Sequence, residues 1–246
     1  MDAEGKPREM LLHACCGPCS LEPVRVLRER GCEPDVFYAN SNIAPADEYA
    51  RRLETIRQWA REAGLAFVEG DWRPESWDEQ VGRPWREGAA TREERCRACY
   101  RLRFEEAAAY AAEHGYASMG TTLSVSPYQY TDVIREELER ACTAFGIRAA
   151  FEDWRPFYDE ATRRSREAGM YRQNYCGCAF SKAESEQERA ERKEARRAKR
   201  ERWLSEHAEE LEQEAREREA KRAERAAYDA ERARRRRILK QLRKEA

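Results

Sequence analysis

The sequence predicts an α/β fold with a mostly parallel sheet, followed by a long charged helix. Three observations lead there. Over residues 1–181, short runs rich in β-branched and aromatic residues alternate with amphipathic stretches, the pattern of repeated strand–helix units. Glycine stands at or near the expected stop of three of the predicted helices. From residue 182 to 246 the composition changes abruptly: Gly, Pro and Cys vanish, and Glu, Arg, Ala and Lys dominate. The chain therefore divides near Ser181 into an α/β domain over 1–181 and a charged helical extension over 182–246.

Taken in order, "EMLLHA" is the first strand, an apolar run that ends on "CCGPCS", and a helix is predicted over Ser20–Arg30. "DVFYAN" is the second strand, followed by a helix over Ala46–Ala63, and "AFVEG" the third. A helix over Arg97–His114 leads into "YASMGTT", and a helix over Tyr130–Phe145 leads into "IRAAFED". An open, doubly wound arrangement is the simplest fit. With 41% hydrophobic residues, six Trp and eleven Tyr, this part has enough apolar surface for a core. Charged residues make up 39% of the chain, against roughly 25% in an average domain, and the surplus sits in the extension. Fully helical, that extension would reach about 100 Å. It lacks a sustained apolar seam, so a solvated single helix is expected ahead of a coiled coil.

The start "MDAEGKPREM" is charged and the apolar run behind it is too short to span a bilayer, so a cytoplasmic protein without a membrane partner is expected. Nine cysteines, an odd number, then point to reduced thiols that bind metal or do chemistry rather than to disulfides. Cys15, Cys16 and Cys19 occupy the first strand-to-helix turn, where the ligand crevice of such a sheet lies. Gly17 and Pro18 bend the backbone between them, and the helix start behind them favours thiolate. A turn that cradles phosphate would be rich in Gly and Ser, so ATP is not the expected ligand. "CRACYRLR" places Cys96 and Cys99 on one helical face or at a helix entry, and "YRQNYCGCAFS" places Cys176 and Cys178 about a glycine. Zinc needs four ligands; six or seven thiols exceed that and suit an iron–sulfur cluster with a further metal ion beside it. Cys32 and Cys142 are expected to pack as small apolar residues.

The segments "LLHACCGPCS", "YANSNIAPADEYARR", "CRACYRLR", "TTLSVSPYQ", "DWRP" and "MYRQNYCGCAFS", in this order, resemble the QueH-type epoxyqueuosine reductases over about Leu11 to Ser181. The resemblance implies a sheet of the adenine-nucleotide hydrolase-like (HUP) type. It implies a cobalamin-independent enzyme that removes the epoxide oxygen from epoxyqueuosine at the wobble position of tRNA, using a [4Fe-4S] cluster and an additional metal ion, expected to be iron. The ligands it implies are Cys15, Cys16, Cys96, Cys99, Cys176 and Cys178, with Cys19 a further one beside the same site; the division of sulfurs between cluster and ion stays open. The extension lies outside the resemblance, and Ala44 and Trp154 depart from residues common in the family.

Removing the epoxide oxygen takes two electrons and two protons, so the expected partners are the tRNA and an electron donor such as a ferredoxin or a flavin system. Asp153, Tyr128 and Tyr175 are the candidate proton donors, with a salt bridge to Arg155 or Arg172 as the simpler alternative for Asp153. His13, in a buried strand beside the thiols, is either a satisfied core residue or a donor. For substrate binding the candidates are Tyr171, Arg172 and Gln173, then Asn40 and Asn42, while Arg51, Arg52, Arg101 and Arg103 bring positive charge near the motifs. In the extension, "RARRRR" is expected to add tRNA affinity, with the acidic stretch Glu206–Glu219 as a spacer. The competing readings are a zinc-stabilised, non-catalytic RNA-binding module and an iron–sulfur tRNA thiolation factor, the latter disfavoured by the missing ATP loop.

Overall fold

The structure, a computed structural model, describes residues 8–88 and 91–245, and the contacts of the chain divide it into Met1–Ser185 and Glu186–Ala246. In the first unit the elements run β1 (Arg8–His13), α1 (Gly17–Glu29), β2 (Asp35–Tyr38), α2 (Ala46–Glu62), β3 (Phe67–Glu69) and the short α3 (Pro74–Trp77). A π-helical turn, Asp78–Gly82, leads to α4 (Arg83–Arg86), α5 (Arg92–Glu113), β4 (Tyr116–Thr121), α6 (Thr131–Ala144), β5 (Arg148–Ala149) and α7 (Tyr158–Glu167). All pairings are parallel and the strand order is β3-β2-β1-β4-β5, the open doubly wound α/β arrangement expected from the sequence. The chain winds outward from β1 in one direction and from β4 in the other. Its switch point therefore lies beyond the carboxyl ends of β1 and β4, where such sheets bind ligands.

Strand alternation builds the two faces. Leu12, Val36 and Tyr38 pack with Val24, Leu27, Ile56 and Ala161 from α1, α2 and α7. Their neighbours Leu11, Phe37 and Met119 pack with Phe104, Ala107 and Leu138 from α5 and α6. Burial on both faces explains why β1 reads as a continuous apolar run.

The helix starts differ from expectation in two places that matter for the thiols. α1 begins at Gly17 rather than Ser20, because Pro18 in the first turn loses only an N–H that has no helical partner there. α5 begins at Arg92 rather than Arg97, capped by a reciprocal pair: Glu94 N donates to Thr91 Oγ1 (3.3 Å) and Thr91 N donates to Glu94 Oε2 (2.6 Å). Cys96 and Cys99 thus sit inside a helix, one turn apart. The expected continuous C-terminal helix is two helices, α8 (Ala179–Glu206) and α9 (Ala208–Glu245), interrupted at His207. The expected boundary at Ser181 lies inside α8.

Candidate thiol-rich metal centre

β1 ends at His13 and hands the chain to the thiols. Ala14 N donates to Phe37 O (2.8 Å) and Cys15 N to Thr122 Oγ1 (3.2 Å), which fixes the turn against the ends of β2 and β4. The sulfurs of Cys15, Cys16 and Cys19 lie within 4.8 Å of one another, with Cys15 and Cys16 Sγ 3.9 Å apart. Cys16 stands in extended backbone at the cap position of α1, and the Cys19 backbone N–H of the first turn helps lower its thiol. The hydrogen bond with Cys16, together with burial, pushes Cys15 up to about 11, and bonds with Cys15 and Cys16 raise Cys19, while Cys16 is pulled down by its bonds with both, aided by the Gln173 side chain. A bound cation would favour the thiolate form of all three.

Four further thiols, Cys96, Cys99, Cys176 and Cys178, line one cavity together with Asn42, Trp77, Tyr128 and Gln129. Burial pushes Cys96 up to about 12 and Cys99 to about 11, each helped by neighbouring cysteines. Burial likewise raises Cys176, with Cys178 and Cys15 adding to the rise, so the two groups of thiols feel one another. Among the described residues, only the Cys15–Cys16–Cys19 group closes to within 4.8 Å on every side. Thiolates are soft ligands, and seven in two adjoining groups suit iron or zinc better than a hard cation.

The Cys176–Cys178 loop is held by α2. Gly177 has φ +147, and a Cβ there would stand 2.9 Å from Asn42 Nδ2 and 3.0 Å from Ile43 Cγ1, so only glycine lets the loop pass this close. Ala44 N donates to Gly177 O (3.0 Å). The Arg52 side chain, 1% exposed, donates through Nε to Glu48 Oε1 (2.7 Å) and through its two outer nitrogens to Cys176 O (2.8 Å) and Tyr175 O (3.3 Å). Its guanidinium also lies 5.0 Å from the centre of the Tyr175 ring. A second buried arginine, Arg103, donates to Asn40 Oδ1, and its charge offsets part of the rise that burial causes in Cys99 and Cys176.

Of the residues singled out in the sequence, the structure gathers all seven thiols, Asn42, Tyr128 and Gln173 about the switch point. Asn42 and Gln173 each present an amide oxygen, buried and without a hydrogen-bond partner, beside the sulfurs. Tyr128 lines the cavity and is 60% exposed.

The others are engaged elsewhere. Asn40 spends both ends of its amide inside the protein, Nδ2 donating to Ala14 O (2.9 Å) and Oδ1 accepting from Arg103, so it joins β1, β2 and α5 rather than facing a substrate. Arg172 bonds Thr162 and Ser165 of α7, and Tyr171 OH donates to Glu48 Oε2 (2.6 Å). Tyr175 OH donates to Ala44 O (2.8 Å). Asp153 is held by Arg155, whose Nε lies 2.9 Å from Oδ1; this keeps the carboxyl below the usual range, so at neutral pH it has no proton to give. His13 is fully buried between Thr121 Oγ1 (3.0 Å) and Ala39 O (3.3 Å), and burial holds it down to about 3, so it stays neutral. Cys142 is core, and Cys32 packs against the core edge. Arg51 and Arg101 pair with Asp47 and Glu137.

Sequence reasoning missed what Arg52, Glu48 and Arg103 do. A signal existed for the first two. Tyr49, Leu53 and Ile56 mark the buried face of α2, and Glu48 and Arg52 fall on it, four residues apart.

Comparison with known proteins adds a relationship to this geometry. Residues 10–184 match the family model described as epoxyqueuosine reductase QueH. Curated proteins of that name are similar to this chain: one from Dehalococcoides mccartyi is 32% identical over 72% of this chain and 93% of its own length. Those from Haemophilus influenzae and Thermotoga maritima are each 31% identical over 74% of this chain, covering 74% and 94% of their own lengths.

Proposed function

The chain belongs to the epoxyqueuosine reductase QueH family, oxidoreductases that act on tRNA in queuosine synthesis, and from that premise we propose how its thiol centre performs the reduction. The observation that carries the reading is the convergence of seven thiols, in groups of three and four, at the switch point of the sheet. We assign a [4Fe-4S] cluster and an adjacent metal ion, iron, to these sulfurs. The four around the cavity stand wider apart than the trio and suit the larger group; the trio suits the single ion. When bound, the two would supply single electrons and a Lewis acid toward the epoxide oxygen.

The chain's own residues do the rest. Asn42 and Gln173 offer buried acceptors to hydroxyl or ammonium donors of the modified base, and a substrate that satisfies them gains what each now lacks. Tyr128, lining the cavity and open to solvent, is the residue in reach of both substrate and water, and we assign it proton delivery to the leaving oxygen. Tyr171, Arg172 and Tyr175 hold the loop that carries Cys176 and Cys178. A ferredoxin or flavin donor must reload the centre, since two electrons are consumed per turnover. The reductase activity resides in residues 1–181, and residues 182–246 are an appended extension. No helix among the described residues is long and apolar enough to cross a membrane; a tRNA substrate places the enzyme's work in the cytoplasm.

The test is anaerobic purification with iron, sulfide and zinc analysis, followed by a single turnover of epoxyqueuosine-containing tRNA with a chemical reductant. Iron and sulfide together with conversion to queuosine support the reading. Zinc alone without conversion overturns it and leaves an RNA-binding module.

A further inference from the structure

We propose that the basic end of the C-terminal unit grips the phosphate backbone of the tRNA substrate; this rests on the reductase reading above. The charge of the chain is unevenly divided. Residues 1–185 carry 26 Lys and Arg against 32 Asp and Glu, a net of −6, whereas residues 186–246 carry 21 against 16, a net of +5. Within that second unit the split is sharper. Residues 186–231 hold 13 basic and 15 acidic side chains, while 232–244 hold eight basic and none acidic. An acidic catalytic unit repels a polyanion at long range, and the longest acid-free basic run in the chain lies outside the segment matched to the family.

The run itself supplies no acid to pair with that charge. Along the second unit, arginines pair with glutamates one turn away, as in Arg197–Glu201 (2.7 Å), Arg216–Glu212 (2.5 Å) and Arg218–Glu214 (3.0 Å). Over 232–244 no acids remain within the run, and the one described pair reaching back from it is Arg235–Glu231 (2.7 Å). Arg232, Arg234, Arg235 and Arg236 are all exposed on α9; the side chains of Arg237, Lys240, Arg243 and Lys244 lie outside the described residues. Stabilising the negative end of the helix dipole takes only the charges of its last turn, so a run of three turns exceeds that need. Nor does the run offer a partner helix an apolar seam. Dense exposed arginine on a stiff helix is the chemistry that recognises phosphates.

The experiment keeps the chain at full length. In one variant Arg232, Arg234, Arg235 and Arg236 become Gln; in a second, Arg237, Lys240, Arg243 and Lys244 do so as well. Gln resembles Arg in helix propensity, and circular dichroism confirms that the helix persists. Binding of an unmodified tRNA transcript is measured by anisotropy from about 50 to 200 mM KCl. If only four phosphates are engaged, the wild-type log–log salt slope is steeper by about 3, and across that range the wild type loses roughly 60-fold more affinity than the eightfold variant. The fourfold variant falls between.

Equal slopes overturn the proposal. So does a salt-dependent self-association, seen by sedimentation, that the Gln variants lose while their tRNA slope stays unchanged. A single turnover of epoxyqueuosine tRNA at saturating concentration separates this failure from that of the reductase reading: conversion with equal slopes sinks only the grip, and no conversion by any of the proteins sinks the reading beneath it.

Discussion

Replacing Arg52 with Met tests whether the loop bearing Cys176 and Cys178 is set by α2. The Arg52 side chain is 1% exposed and its partner Glu48 8%, so truncation leaves a buried carboxylate with Tyr171 OH as its remaining bonded partner. Removing one member of a buried pair costs about 3–5 kcal/mol. Losing the two bonds to the carbonyls of Tyr175 and Cys176 lies within that figure rather than on top of it, because Met fills much of the volume. We expect R52M to destabilise the chelator-treated protein by about 3 kcal/mol, read from urea midpoints. Adding E48Q should recover about 2 kcal/mol, since the stranded charge is then gone. The same loss should lower iron per chain after anaerobic purification, because Cys176 O no longer has its guanidinium. R52K, which keeps the charge but cannot reach three partners at once, should hold the stability better than the iron. A cost below about 1 kcal/mol, or no recovery in the double variant, would refute the argument that the pair is buried and coupled.

Four other outcomes follow from the same geometry. Gly177→Ala meets Asn42 and Ile43 at 2.9 and 3.0 Å and occupies a backbone region unsuited to alanine, so thermal stability should fall by about 1–3 kcal/mol and iron content with it. Asn42→Ala removes an unpartnered oxygen, so iron content and stability should hold while kcat/KM for epoxyqueuosine tRNA drops at least tenfold; unchanged kinetics would remove Asn42 from the substrate site. Cys96→Ser should lose iron, whereas Cys142→Ser should keep it and lose stability, a contrast measured by metal analysis. Burial pushes Glu106 up from 4.5 to about 7, so the folded protein holds that proton more tightly than the unfolded chain. Its favourable contribution is full below pH 4.5 and is lost as pH rises through about 7. Because the side chain is partly open to solvent, we expect Glu106→Gln to gain about 2 kcal/mol on the wild type by pH 8 and little at pH 4, checked by urea midpoints across that range.

The residues that were legible in the sequence are those whose role is local. Parallel strands buried on both faces read as apolar runs, and each of the five runs quoted contains a strand of the sheet, although β5 is only two residues long. The thiols were legible because cysteine in close spacing has few other uses in a reduced protein. What escaped was decided by partners far along the chain. Asn40 read as a strand-end amide free to face a ligand, but Arg103, 63 residues away, takes its oxygen. Arg52 read as surface charge near a motif, but its carbonyl partner is 124 residues away, and no periodicity within α2 names that partner.

These misreadings point the same way. Arg52, Arg103 and Asn40 all lie near the sulfurs, and all were first read as polar groups available to substrate. A centre that gathers seven thiols needs buried positive charge and rigid loops around it, because each thiolate burdens the next and desolvation burdens them all, as the raised Cys96, Cys99 and Cys176 record. The catalytic unit therefore spends arginines inside. Arg52 pins the Cys176 loop, Arg103 eases the charge on Cys99 and Cys176, and the exposed Arg51 and Arg101 are held by Asp47 and by the buried Glu137. Its net charge of −6 leaves it poorly suited to attract tRNA by itself, while the second unit carries eight basic residues over 232–244 with no acid among them. Sulfur chemistry and phosphate attraction make opposite demands on arginine, the first wanting it buried and paired with the protein, the second wanting it turned toward the polyanion, and a chain that assigns them to separate segments meets both.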